Sequence, residues 1–233
     1  DFQVETLAQL EKVLDYQFKN KELLLRALTH PSYTGKDNTG NYQRLEYLGD
    51  ATLELIVSRY LYELKDQATE GMLTKLRANI VSEKPLAAAA MDIGLGKYLR
   101  MSAGELKTNG QTKPSILSDA FEAVVAAVFL DGGYNAAQTL VLRLLQEQIN
   151  KALTQTATLT DYKSMLQEEL QSRGVVDIVY KCDRVIGPPH DSVFYSSVWA
   201  MDKHLGKGTG KSKKQSEQMA AKAALLSMGK QLD

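Results

Sequence analysis

The sequence predicts two domains of different class: an all-α domain over residues 1–153 and a small α-β-β-β-α domain over 161–230, joined by a linker at 154–160. Three observations carry this. Apolar residues recur three and four apart through the first 150 residues, the spacing of a helix face. The stretch TQTATLT (154–160) is polar, has no large side chain but Leu159, and separates two compositions. Beyond it come period-two runs rich in Val, Ile, Tyr and Phe, bracketed by two amphipathic segments.

In the first domain, helices are expected at 3–15, 20–29, 41–64, 70–91, 115–130 and 135–152. The breaks carry turn chemistry: HPSYTGKDNTG (30–40), DIGLGKYL (92–99), SAGELKTNGQTKPS (102–115) and DGG (131–133). In the second domain a helix over 161–173 ends at Gly174, and strands follow at 177–186, 192–201 and 203–207. An Ala-rich helix closes it over about 212–229, giving a small sheet with two helices on one face. No internal repeat or low-complexity tract interrupts the pattern.

Composition narrows the class. Of the 233 residues, 44% are hydrophobic, enough for real cores. Lys plus Arg and Asp plus Glu each total 28, so net charge alone does not suggest a nucleic-acid binder. The charge is local: residues 203–214 hold five lysines and no acid. Cys182 is the only cysteine, which excludes an intrachain disulfide and suits a cytoplasmic protein. The longest apolar run, AVVAAVFL (123–130), is far too short to span a bilayer, and the N-terminus lacks the pattern of a signal peptide.

The chemistry concentrates in two acid pairs. In NYQRLEYLGDATLEL (41–55), Glu46 and Asp50 lie one helical turn apart, on a line that continues to Leu53 and Val57. In SILSDAFEAVVAAVFLDGG (115–133), Asp119 and Glu122 share a face of a helix apolar nearly all round, which marks an interior helix. A single acid pair at helical spacing is normally a solvated surface. Here neither 45–55 nor 116–130 contains a Lys or Arg, and buried, unpaired carboxylates cost several kcal/mol. A cation relieves that. None of His30, His190 and His204 follows a Glu-x-x pattern, which excludes a di-iron bundle, and there is no Cys/His cluster for zinc. Mg²⁺ or Mn²⁺ remains.

The lysine run has its own logic. Ser212 is placed to cap the last helix, Gly208 and Gly210 suggest a tight turn before it, and Lys211, Lys213 and Lys214 crowd the helix start. A helix N-terminus with added positive charge suits phosphate. Ala220, Ala221, Ala223 and Ala224 suit close packing on the sheet.

RLEYLGDATLEL (44–55) resembles the signature of the ribonuclease III family. LTHPSY (28–33), TEGMLTKLRANIVS (69–82) and KPSILSDAFEAVVAAVFLDGGY (113–134) resemble further blocks of that family in the same order, and GTGKSKKQSEQMAAKAALLSM (208–228) resembles the end of a double-stranded RNA-binding domain. The resemblance covers essentially the whole chain. It implies an all-helical endonuclease domain that works as a homodimer on double-stranded RNA. By it, Glu46, Asp50, Asp119 and Glu122 fall on the four catalytic acids. Glu46, Asp119 and Glu122 would be direct ligands of Mg²⁺, with Mn²⁺ able to substitute, and Asp50 would orient the attacking water. Glu70 falls on a further acid placed near the metal. The products would carry 5′-phosphate and 3′-hydroxyl ends, and ribosomal RNA precursors and other structured transcripts would be the substrates. Gln167 and Glu168 on the first helix of the second domain, and His190 in its loop, fall where the family meets two minor grooves. Lys211, Lys213 and Lys214 would face the major groove between them.

Three positions depart from the pattern. Gln43 stands where the family often has Glu, and Tyr47 replaces a Phe that the family inserts into a socket on the partner subunit. Glu217 stands where some relatives carry a basic residue, which lowers the phosphate affinity expected. The rival reading is a catalytically silent double-stranded RNA-binding or ribosome-associated relative, whose mark would be substitution in the acid quartet. All four acids are present.

Overall fold

The computed structural model describes residues 2–35, 37, 39–65, 68–157 and 161–232. It divides into two compact units, one built from residues 1–68 and 73–153, the other from 69–72 and 154–233. The first is helical: α1 (Phe2–Leu14), α2 (Lys21–Ala27), α3 (Gln43–Leu64), α4 (Glu70–Val81), α5 (Glu83–Asp92), α6 (Ala103–Lys107), α7 (Pro114–Leu144) and α8 (Gln146–Ala157). The second is α9 (Tyr162–Ser172), β1 (Ile178–Ile186), β2 (Val193–Ala200), β3 (Lys203–Gly210) and α10 (Lys213–Ser227).

Helix α7 is the axis of the first unit. From Ile116 to Val128 every residue except Asp119 and Glu122 is at most 7% exposed. Helices α2, α3 and α5 pack on it. The side of α3 that meets α7 is set by Leu45, Gly49, Thr52, Leu53, Ile56 and Val57, all buried at helical spacing. Gly49 fixes how close the two helices come. A Cβ added there would sit 1.9 Å from the main-chain oxygen of Glu122, so only glycine permits this crossing.

Several boundaries differ from the sequence reading. The segment 70–91 is two helices, because Pro85 lacks an N–H and would clash with the carbonyl of Val81. The chain breaks at Ser82, extended at φ −77°, ψ 164°, and restarts as α5. The expected break at 131–133 is a kink inside α7: Gly133 takes φ 80°, ψ −176°, a conformation open to glycine. The helix expected over 135–152 instead breaks at Leu145, and α8 runs to Ala157. The proposed linker therefore begins as helix, since Thr154–Ala157 contain neither Gly nor Pro, and residues 158–160 lie outside the described residues. The loop at 102–115 holds the short helix α6, capped by Ser102, whose hydroxyl accepts the Glu105 N–H at 3.1 Å.

In the second unit the strands form one antiparallel sheet in the order β1-β2-β3. Helices α9 and α10 share a core with it: Tyr162, Leu166, Leu170, Val198, Ala200, Ala220, Ala221, Ala224 and Leu225. Strand β3 continues past the expected 207 to Gly210, which pairs with Phe194. Gly208 and Gly210 are thus strand residues, not a tight turn. Their missing side chains make room for α10: a Cβ on Gly208 would lie 2.1 Å from the Ala220 nitrogen.

Gly49→Ala is expected to lower stability by roughly 2–3 kcal/mol despite alanine's advantage of about 1 kcal/mol within a helix. Urea denaturation checks this as a lower midpoint at unchanged m-value.

Candidate metal centre and nucleic-acid interface

Helix α3 presents Glu46 from its first turn, helix α7 presents Asp119 and Glu122 from adjacent turns, and the close approach at Gly49 brings them together. One carboxylate oxygen from each of Glu46, Asp119 and Glu122 lies within 4.8 Å of the others. All three are half-buried. Among the described residues, no ion pair ends on any of them.

The electrostatics follow from that geometry. Burial, then the charges of Asp50, Asp119 and Glu46, push the Glu122 carboxyl up to about 8. Burial raises Glu46 as well, helped by Asp119 and Asp50. Asp119 is raised by burial and by Glu83 at the start of α5, against the opposing pull of His30 and of the nearby Tyr42 hydroxyl. Three oxygen donors that repel one another suit a hard divalent cation, which would hold them ionised and close.

Asp50 is one turn along α3 and belongs to the same electrostatic group, but it is exposed and stands outside the three-carboxylate cluster. The stripe logic gave both α3 acids the same surroundings. In fact the pitch of α3 turns Asp50 outward while Leu53 and Val57 stay in the core. Glu70 opens α4, is exposed, and is not part of the cluster. Gln43 begins α3 and is exposed, as is Tyr47 at 83%. Sequence reasoning missed Tyr42, His30 and Glu83. Tyr42 adjoins the quoted signature and His30 lies in LTHPSY, but no periodicity ties either to α7.

In the second unit, Ser212 accepts the Gln215 N–H at 3.1 Å, and the Gln215 side chain reaches back to the Lys211 N–H at 2.7 Å. This reciprocal cap leaves Lys213 and Lys214 exposed on the first turn of α10. Lys211 is exposed and pairs with Asp191 at 2.6 Å. His190 precedes Asp191 in the exposed turn between β1 and β2, and Gln167 and Glu168 are exposed on α9. Glu217 is turned inward. Only 12% of its side chain is exposed and it pairs with Lys163 at 2.7 Å, so it subtracts less from the lysine field than its position in the sequence suggested.

An all-oxygen acid cluster in a helical unit suits a hard cation, and a capped, lysine-flanked helix on a small sheet suits an anionic partner. Comparison with known proteins agrees. Residues 20–149 match the ribonuclease-III-like family, and residues 162–228 match the double-stranded RNA binding motif. Ribonuclease 3 of Clostridium perfringens is 44% identical over 224 residues, 96% of this chain and 94% of that protein. Ribonuclease 3 of Caldanaerobacter subterraneus is 46% identical over 225 residues, 96% and 98% of the two chains. The crystallised nuclease domain of Campylobacter jejuni ribonuclease III superposes with TM-score 0.57 at 45% identity, covering 60% of this chain and 96% of that one. The chain belongs to the ribonuclease III family, with a double-stranded RNA-binding motif as its second unit. No helix among the described residues is long and apolar enough to cross a membrane.

Because its folded pKa lies above its usual value of 4.5, Glu122 favours the fold while protonated. That contribution is complete below about 4.5 and is lost as pH rises through about 8. The thermal midpoint of metal-free protein is therefore expected to fall between roughly pH 5 and pH 9, with Glu122→Gln removing most of the slope. Calorimetry across that range checks it, and a slope indifferent to the substitution counts against the arrangement.

Proposed function

We propose that the chain is a Mg²⁺-dependent endoribonuclease that hydrolyses double-stranded RNA to 5′-phosphate and 3′-hydroxyl ends, with Mn²⁺ able to replace Mg²⁺. Residues 1–153 act as the nuclease and 161–230 as the RNA-binding module. The carrying observation is the trio Glu46, Asp119 and Glu122, with oxygens within 4.8 Å and no cationic partner among the described residues. These three hold the cation, and Asp50, exposed beside them, orients the water that attacks phosphorus. When bound, the cation supplies Lewis-acid polarisation of water and phosphate and neutralises the charge that develops. The water oxygen bonds to phosphorus, the P–O3′ bond breaks, and the 3′ oxygen leaves with a proton. Glu70 acts on the cation indirectly.

The RNA-binding module reads duplex shape. Gln167 and Glu168 meet one minor groove, His190 the next, and Lys211, Lys213 and Lys214 the phosphates between. Homodimerisation through the nuclease domain is supported by the exposed apolar strip of α3, with Tyr47 at 83%, Leu55 at 57% and Tyr62 at 72%. It is also supported by the C. jejuni nuclease domain, whose structure is described as having a region involved in dimer formation. A cytoplasmic site of action and ribosomal RNA precursors or other structured transcripts as substrates complete the reading.

Incubation with a long RNA duplex is expected to give short products with Mg²⁺ and none with a chelator. Glu122→Gln is expected to abolish cleavage while duplex affinity stays at the wild-type level in a gel-shift assay; unimpaired cleavage by that variant removes the assignment. Replacing both Lys213 and Lys214 by Ala is expected to weaken binding equally for all duplex sequences. It should also reduce the slope of log K against log salt by about two, as salt titration can measure.

A further inference from the structure

Glu217 is an acid on a helix whose start suits phosphate, and the mechanism above gives it no work. It sits one turn beyond Lys213 on α10, and its neighbour Gln218 sits one turn beyond Lys214. Both side chains reach the first turn of α9. The Glu217 carboxylate accepts from the Lys163 ammonium at 2.7 Å. That ammonium also lies 4.1 Å from the centre of the Tyr180 ring on β1. Gln218 bridges two groups at once: its carbonyl oxygen accepts the Lys163 N–H at 3.0 Å, and its amide donates to the Asp161 carboxylate at 3.0 Å. Asp161 caps α9 and accepts the Ser164 N–H at 3.2 Å. The Lys163 N–H is one of the donors that a helix start leaves without an acceptor of its own, and here another helix supplies one. Lys163 in turn lies one turn before Gln167, which is exposed on α9. The cluster therefore stands within a turn of the residues assigned to RNA on both helices.

We propose that Glu217 and Gln218 are positioning residues: with Lys163 and Asp161 they clamp α10 to the start of α9, and so set the preference of the second unit for duplex RNA over duplex DNA. The inference rests on the reading of that unit as a duplex-RNA binder. Gln167 and Glu168 need a wide, shallow minor groove with 2′-hydroxyls, while Lys213 and Lys214 need phosphates across the adjoining major groove. Both sets are met together only when the two helices stand at the separation that A-form RNA offers. The polar contacts from Glu217 and Gln218 hold that separation before RNA arrives, so binding does not have to order it. DNA offers neither the same groove widths nor the 2′-hydroxyls. It engages the lysines alone, for which the position of α9 is immaterial. The charge of Glu217 is answered by Lys163, so the clamp takes little from the lysine field.

The test measures affinity for an RNA duplex and for a DNA duplex of the same sequence by fluorescence anisotropy. It uses the full chain at one salt concentration, with chelator present so that no strand is cut. Circular dichroism gives the thermal midpoint of each variant, and binding is read well below it. Gln218→Leu keeps the bulk and removes both hydrogen bonds, and Glu217→Met removes the ion pair. Each is expected to lower RNA affinity by about tenfold and to leave DNA affinity no lower than wild type. The salt slope for RNA should stay as it is, because the phosphate contacts are intact. A clamp that merely stabilises the fold lowers the midpoint and leaves the RNA-to-DNA ratio unmoved, so a wild-type ratio in either folded variant overturns the proposal. So does a Glu217→Met chain that binds both duplexes more tightly by the same factor, since the acid is then only a repulsive charge. Should Gln218→Leu fail to fold, Glu217→Met decides alone. Wild type that shows no preference for RNA takes down the reading of the unit as a duplex-RNA binder. A wild-type preference that the variants keep removes only this inference.

Discussion

The absence of one methyl group on α3 controls the nuclease unit. Because Gly49 carries no side chain, its backbone can lie against the Glu122 main chain, and α3 meets α7 at a distance no other residue permits. Everything chemical follows from that distance. Glu46 stands a turn before the contact, and Asp119 and Glu122 flank it on the other helix, so their oxygens gather within 4.8 Å. Core packing aims the helices, with Leu45, Leu53, Ile56 and Val57 on one side and the apolar run of α7 on the other. Hydrophobic burial thus holds together groups that would otherwise drift apart.

That arrangement works against the fold's own stability. Clustered carboxylates in a half-buried site raise one another's proton affinity, and Glu122, reached by three negative neighbours, is affected most. The unit tolerates this because the core beneath is large and continuous, from Leu7 to Ala152. Sites built for chemistry are often where local rules are broken and the rest of the structure compensates.

The sequence made much of this legible, for identifiable reasons. Acid pairs at helical spacing in segments free of Lys and Arg are a local signal, and so are a Ser cap and the lysines beside it. The second domain's element order was legible because its turns and alternation lie close together along the chain. What sequence reading missed is non-local. The outward turn of Asp50 depends on where α7 lies, and Glu83 bears on Asp119 from a separate helix, α5. Gly208 and Gly210 lie in β3 and not in a turn, and composition cannot distinguish a glycine needed for its backbone angles from one needed for a neighbour's approach. Pro85 was a legible signal passed over: a proline three residues beyond a serine can restart a helix as well as end one.

The exposed pair between Lys211 and Asp191 has a consequence for the second unit. It links the foot of α10 to the turn that carries His190, with the two side chains 67% and 66% exposed. Ion pairs that wet contribute at most about 1 kcal/mol. The link therefore behaves as a soft spring: it sets a resting gap between loop and helix without enforcing it, so the two can move apart at little energetic penalty.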